Sequence, residues 1–234
     1  MGIIGNGQTF LDALGTVERA ALLALGSSKS YAASETVLLE GETGDFVVAI
    51  VDGWASVSSS NRYGQRVILA LRGSGDLVGD LSVLDPNPRS ATVTALGPME
   101  AVVVSGDAFR GFIAARPRVT ALVIKHLGSR LRASDGERMS LATETVLQRL
   151  AAYLGELVEH VGVPGRGGVA LELQLRQHDL AAAVGATREA VAKALRILRA
   201  HGVIATGPLS LVVLNPGMLR EISSGRFRPS AGGP

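Results

Sequence analysis

GDLSVLDPNPRSAT, residues Gly79 to Thr92, places the carboxylate of Asp80 directly after a glycine and follows it with the pair Arg89-Ser90. Those side chains suit a cyclic sugar phosphate. A cyclic phosphodiester carries one permanent negative charge, which the Arg89 guanidinium can meet with a fork of N–H donors while Ser90 adds a hydroxyl. A ribose 2′-hydroxyl needs an acceptor, and Asp80 supplies one beside the flexible Gly79. The plainer alternative is a surface hairpin in which Arg89 pairs with Asp85, because exposed ion pairs are common and contribute little.

Around this loop, from Tyr31 to Val104, short β-branched runs alternate with glycines: Phe46 to Val51 before Asp52-Gly53, Arg66 to Leu71 before Gly73 and Gly75, Ala101 to Val104 before Gly106. Such punctuation predicts an antiparallel barrel or double-sheet jelly roll. GSGDLVG, Gly73 to Gly79, carries the glycines of a dinucleotide fingerprint without the βαβ unit that would give them that use. Before the strands, Phe10 to Leu25 reads as one amphipathic helix, with Leu11, Leu14, Val17, Leu22 and Leu25 on its apolar face. After them, Arg116-Pro117 opens a long helix in which Thr120, Val123 or Ile124, Leu127 and Leu131 recur at the spacing of a two-helix seam. Ser134 and Asp135 turn that seam polar; either the helix ends near Gly136 and they cap it, or it runs on. A hinge at Met139 to Thr143, a helix from Thr143 to Val161 and a loop from Val163 to Gly168 follow, and Ser223 to Pro234 reads as a disordered tail.

LRQHDLAAAVGATREAVAKALRILRAHGVI, Leu175 to Ile204, is the second informative stretch. A helix with Leu180 and Val184 inward breaks at Gly185, and Thr187 supplies an N-cap for a second helix. On that helix Val191, Leu195 and Leu198 form the buried stripe, and Arg188, Glu189, Lys193 and Arg196 lie around the opposite side. An apolar back with charged first turns lets a helix dock on its partner and present its N-terminal end to a DNA major groove. The alternative is an ordinary helix with solvated charges, against which stand the glycine turn, the cap, the Arg-Glu pair and a following β-hairpin wing at Val203-Ile204, Gly207-Pro208 and Leu209 to Leu214.

Both stretches resemble the Crp/Fnr superfamily of bacterial regulators. Gly79 to Thr92 is similar to its phosphate-binding cassette, G-E-L-x followed by R-S/T-A, with aspartate at position 80 where the family has glutamate. Thr187 to Lys193, T-R-E-x-V-x-K, resembles its recognition helix, S-R-E-T-V-x-R. The resemblance implies an α+β chain: a cyclic-nucleotide-binding β-roll over residues 1–115, a dimerisation helix and hinge over 116–142, a winged helix-turn-helix over 143–222 and the tail over 223–234. It implies a nucleotide site at Gly79, Asp80, Leu81, Arg89 and Ser90, with Ser134 and Asp135 at the base. Arg188 would read a guanine, Glu189 a cytosine amine, and Lys193 a second base or a phosphate; Thr187, Arg176 and Gln177 are candidate phosphate contacts. The implied effector is cyclic AMP; the alternatives are a DNA-binding regulator of the same type with a vestigial pocket, or one tuned to cyclic GMP or cyclic di-GMP. The implied partners are a near-palindromic duplex, a second copy of the chain through Thr120 to Leu131, and RNA polymerase. A nucleotide-binding interaction protein that does not read DNA is the rival from another class.

Composition agrees with that division. The formal net charge is +2, but residues 1–115 hold 7 Lys and Arg against 12 Asp and Glu, net −5, and residues 116–234 hold 16 against 9, net +7. Only the basic half suits a polyanion. With no cysteine, a disulfide scaffold and thiolate metal sites are excluded, and His126, His160, His178 and His201 lack ligand spacing, so no metal is expected. No nucleophile with its base is evident, so no enzyme is expected, and without a 20-residue apolar run or a basic-then-apolar leader the expected location is the cytoplasm.

Overall fold

The computed structural model describes residues 8–165, 167–171, 173, 176–207 and 210–227. They form two compact units divided between Ser134 and Asp135.

The first unit opens with two short helices rather than the single one expected. Thr9 caps α1 (Phe10–Ala13) by accepting from the Asp12 N–H at 3.3 Å, and the Gly15 N–H donates to the Glu18 carboxylate at 2.9 Å at the start of α2 (Thr16–Leu23). These local bonds satisfy end groups that a continuous helix would bond internally, and Leu14 is extended between them. Leu11, Leu14 and Leu22 are buried, whereas Val17 and Leu25 are exposed.

Eight strands follow: β1 (Ser27–Tyr31), β2 (Thr36–Leu38), β3 (Phe46–Asp52), β4 (Trp54–Ser60), β5 (Arg66–Gly73), β6 (Leu77–Val78), β7 (Thr92–Ala95) and β8 (Met99–Ser105). One sheet has the order β1-β8-β3-β6 and the other β2-β7-β4-β5, every pair antiparallel, so the chain is the expected double-sheet roll. Strand β3 shows why its sequence is apolar throughout. Val48 and Ile50 point between the sheets, where they meet Tyr31, Leu38, Val78, Val93 and Met99. Val47 and Ala49 point the other way, into a cluster with Phe10, Leu11 and Leu22, with Phe109 and Phe112 of α4 (Gly106–Ala114), and with Val119 and Val123 of α5 (Pro117–Thr143). A one-turn helix, α3 (Asp80–Leu84), lies between β6 and β7 and carries the cassette.

Helix α5 runs without interruption through Gly136, so Ser134 and Asp135 lie inside it and do not end it. Its expected seam divides in two. Val123 is buried in the roll's core, Leu127 packs on that core, and the Thr120 hydroxyl donates back to the Ile113 carbonyl at 2.8 Å; Ile124 and Leu131 remain 65% and 64% exposed.

In the second unit α6 (Val146–Val161) begins at the Thr145 cap, so the break after α5 falls at Glu144-Thr145, just beyond the expected hinge. The expected loop from Val163 to Gly168 is instead the tip of a hairpin, β9 (Gly162–Gly165) against β10 (Gly168–Leu171), with Val163 opposite Ala170. Then come α7 (Gln177–Ala183), α8 (Arg188–Ala200), β11 (Ile204–Gly207), β12 (Ser210–Val213) and α9 (Pro216–Ser223), with sheet order β11-β12-β10-β9. The wing expected after Gly202 is β11 and β12, which pair from Ile204↔Val213 to Gly207↔Ser210; Pro208 and Leu209 of its turn lie outside the described residues. The tail expected from Ser223 begins as structure: Ser223 closes α9, the Arg226 N–H donates to the Glu221 carbonyl at 3.1 Å, and the Phe227 ring meets His201 edge to face at 5.2 Å. Residues 228–234 lie outside the description.

Buried Arg149 on α6 ties this unit together: its Nε donates to the Val184 carbonyl at 2.9 Å and its Nη1 to the Glu144 carbonyl at 2.6 Å. The turn after Val184 needs Gly185, whose φ is +58° and where a Cβ would stand 2.7 Å from Leu141 Cδ2. Left-handed backbone costs a residue with a Cβ about 1–2 kcal/mol. Gly185→Ala is therefore expected to lower the thermal midpoint of this unit by roughly 4–8 °C per kcal/mol lost, measured by circular dichroism at 222 nm; an unchanged midpoint would contradict this account of the turn.

Candidate functional site

The cassette forms because Gly79 takes φ +80° at the end of β6 and turns the chain into α3, putting Asp80 in the helix's first turn. A Cβ on Gly79 would lie 2.6 Å from Arg89 Nη1, so the glycine also makes room for that guanidinium. Arg89 is 5% exposed. Its Nη1 donates to the Gly79 carbonyl at 2.7 Å and to the Ser82 hydroxyl, its Nη2 donates to the Phe46 carbonyl at 2.8 Å, and its guanidinium lies over the Phe46 ring at 4.6 Å. Burial lowers the Arg89 pKa, and the charges of Asp45 and Asp80 oppose that shift. The alternative pairing of Arg89 with Asp85 does not occur; the Asp85 carboxylate accepts instead from the Asn87 side-chain amide at 2.7 Å.

Asp80 is buried as well, and its oxygens accept from Arg130 Nη1 on α5 at 2.9 and 3.0 Å. Arg130 Nη2 donates to the Leu77 carbonyl at 2.7 Å. Leu81 and Ser90 are exposed. The structure thus brings Asp80 and Arg89 together across Gly79 and adds Arg130, which the sequence reading missed. The available signal was helical: Arg130 lies four residues before Ser134, one turn along the same face. Ser134 is half-buried, and Asp135, with its side chain 63% exposed, pairs with Arg138 at 3.7 Å. Near the cassette, Asp45 is held below the usual carboxylate range by its hydrogen bonds from Arg110, whose Nη1 also donates to the Val83 carbonyl of α3 at 3.1 Å.

In the second unit Thr187 caps α8 by accepting from the Ala190 N–H at 3.2 Å. Val191, Leu195 and Leu198 are buried, while Thr187, Arg188, Glu189, Lys193 and Arg196 are exposed. The pKa of Glu189 is lowered by a hydrogen bond from its own backbone N–H and another from the Thr187 hydroxyl. Arg176 and Gln177 are exposed at the start of α7, where the Arg176 N–H donates to Asp179 at 3.0 Å.

Comparison with known proteins identifies a domain in each unit. Residues 28–116 match the cyclic nucleotide-binding domain family and residues 148–222 the Crp-like helix-turn-helix domain family. The chain is 34% identical over 160 residues to a CRP-like cAMP-activated global transcriptional regulator of Mycobacterium tuberculosis, covering 68% of this chain and 71% of that one. It is 30% identical to the cyclic AMP receptor protein of Thermus thermophilus, over 83% of this chain and 87% of that one. The chain belongs to the Crp/Fnr family. It is a DNA-binding transcription regulator under cyclic-nucleotide control. Among solved structures, the Thermus thermophilus catabolite activator protein matches with a TM-score of 0.52 and 28% identity over 93% of this chain and 99% of that one. The c-di-GMP-responsive global regulator of Xanthomonas campestris matches with a TM-score of 0.76 over 85% of this chain and 99% of that one; at 19% identity it shares the fold alone.

Beside the cassette of this Crp/Fnr regulator, His126 on α5 meets the Phe10 ring edge-on at 6.0 Å, and its Nε2 is buried with no hydrogen-bond partner among the described residues. Burial, then the Arg130 and Arg72 charges, pull its pKa down to about 4, with Asp80 opposing. Below its ordinary 6.5 the unfolded chain takes up a proton that the folded chain refuses until about pH 4, so His126 removes stability as pH falls through that window. Asp76, raised by burial, acts in the opposite sense at the acid end. In urea titrations between pH 7 and pH 4, His126→Gln is expected to flatten the acid-side loss relative to the natural chain, a comparison in which Asp76 contributes to both; parallel curves would contradict it.

Proposed function

We propose that cyclic AMP is the effector of this regulator and that it binds in the cassette, with the phosphate on Arg89 and the ribose on Asp80. The observation that carries the reading is that one peptide unit joins the two chemistries: Arg89 Nη1 is bonded to the carbonyl of Gly79, the residue before Asp80. A ribose 2′-hydroxyl both donates and accepts, and the Asp80–Arg130 pair offers it an acceptor and a donor side by side. The relatives from Mycobacterium tuberculosis and Thermus thermophilus, named for cyclic AMP, support the choice of nucleotide. Ser90 is the further phosphate contact, and Ser134 and Asp135 are the base contacts that the family resemblance assigns. Arg89→Ala is expected to weaken cyclic AMP binding by ~30- to 1000-fold, the equivalent of about 2–4 kcal/mol for a charge-assisted pair in a partly buried site. Calorimetry with cyclic AMP, cyclic GMP and cyclic di-GMP checks both the effector and the site; tighter binding of either alternative, or an unchanged affinity in a folded Arg89→Ala variant, would overturn the assignment.

The DNA-bound form is a homodimer in this proposal. Ile124 and Leu131 lie seven residues apart on one exposed face of α5, the spacing at which two helices pack side by side. Two copies would set their α8 helices in successive major grooves about 34 Å apart, on a near-palindrome with half-sites ~10–11 base pairs from centre to centre. Arg188 donates to guanine O6 and N7, Glu189 accepts from a cytosine amine, and Lys193, lacking a planar fork, discriminates less. Thr187, Arg176 and Gln177 hold phosphates, and RNA polymerase is the partner at the promoter. Arg188→Ala is expected to cost about 1–3 kcal/mol on a selected operator and much less on random duplex. Fluorescence anisotropy on the two DNAs at matched salt checks this, and equal losses on both would refute base reading by Arg188.

A further inference from the structure

A guanidinium has five N–H donors, and the way Arg89 uses its own decides what it can offer a ligand. Nη1 is occupied twice, by the Gly79 carbonyl at 2.7 Å and by the Ser82 hydroxyl, and one hydrogen of Nη2 goes to the Phe46 carbonyl at 2.8 Å. The Ser82 hydroxyl in turn donates to the Gly79 carbonyl at 3.2 Å, closing a three-membered ring of bonds among Arg89, Ser82 and Gly79. The Phe46 ring covers one face of the guanidinium. What is left is the Nε–H and the second Nη2 hydrogen. Both nitrogens lie toward Gly44, where a side chain would come within 3.2 Å of Nε and 2.9 Å of Nη2.

We infer that Ser82 is a positioning residue for effector binding: by fixing Nη1 it sets the Nε and Nη2 edge of Arg89, on the Gly44 side, as a two-point donor for a singly charged phosphodiester. This rests on the cassette being the nucleotide site and adds to that site a residue outside the Arg-Ser pair. Without the hydroxyl, Nη1 keeps only the Gly79 carbonyl, so the guanidinium is held by one bond on each terminal nitrogen and its Nη1 end is less firmly fixed. Part of the ordering of the fork would then fall to the ligand, which lowers affinity.

The test uses the full chain with Ser82→Ala and Ser82→Thr, and it has two readouts. In the ligand-free protein, nitrogen-15 NMR of the arginine side chains reports how fast the Arg89 terminal groups rotate; Ser82→Ala should speed the Nη1 rotation and Ser82→Thr should leave it slow. In calorimetry with cyclic AMP, Ser82→Ala should bind about five- to tenfold more weakly, the loss expected of one hydrogen bond, while Ser82→Thr binds within about twofold of the natural chain. A merely structural role for Ser82 would lower the ligand-free melting temperature of Ser82→Ala while leaving the affinity of the folded protein for cyclic AMP unchanged. Unchanged Nη1 rotation in Ser82→Ala, or an equal loss of affinity in both variants, overturns the inference. Faster Nη1 rotation in Ser82→Ala beside a natural chain that binds no cyclic AMP supports the positioning and defeats the choice of effector instead.

Discussion

The cassette depends on the pair between Asp80 and Arg130. Both are taken out of water, with side chains 5% and 22% exposed, and burying a charge is costly unless it is paired and hydrogen-bonded. Here both carboxylate oxygens meet one guanidinium nitrogen and the other terminal nitrogen is taken by the Leu77 carbonyl, while the Arg130 Nε is buried with no hydrogen-bond partner among the described residues. The pair fixes α3 against α5 and holds Asp80 in place beside Gly79. Arg89 obeys the same constraint by other means, since its charge is met mainly by carbonyls and an aromatic face. One loop therefore holds a cation bound through dipoles and an anion bound through a cation, which keeps their charges from simply cancelling each other.

Much of this was legible because it is local. The continuous apolar run of β3 follows from burial on both faces. The turn at Gly185 and the cap at Thr187 are short-range chemistry written in consecutive residues. The cassette itself was legible because Gly79, Asp80 and Arg89 lie within one loop. What escaped was decided by partners distant in sequence or by competing local bonds. Arg130 is fifty positions from Asp80, and nothing near either residue names the other. Val123 and Ile124 fit a helical seam equally well in one dimension, and only the packing of Phe109 and Phe112 beneath α5 decides that Val123 turns inward. The glycines and proline from Gly162 to Gly168 suggested a loop, yet Val163 pairs with Ala170 and Val169 with Pro164 in a hairpin whose neighbour, β12, comes only after α7, α8 and β11.

Helix α5 answers three demands at once, and its composition reflects them. Val119 and Val123 fill the roll's core, Arg130 pairs with Asp80 of the cassette, and Ile124 and Leu131 stay outside. A surface helix ordinarily shows one apolar stripe and one polar side. Two apolar stripes, the inner of which also carries the Arg130 guanidinium, blur that periodicity. The same crowding explains His126, whose imidazole is pressed between Phe10 and the charge of Arg130 and is thereby kept neutral.

At the other end of the chain, the first turn of α8 separates identity from affinity. The Thr187 hydroxyl accepts from the Ala190 N–H and is itself bonded to Glu189, so the cap that starts the helix also holds the Glu189 carboxylate in its charged, acceptor-only form. An acceptor held this way suits an amine at a base edge and is repelled by phosphate, so in the proposed complex Glu189 would contribute selectivity while opposing general attraction to DNA. The exposed cations Arg188, Lys193, Arg196 and Arg199 outnumber it and would restore that attraction, which salt weakens. In that proposal the acidic residue narrows the choice of sequence, and the surrounding arginines and lysine would keep the protein on DNA long enough to exercise it.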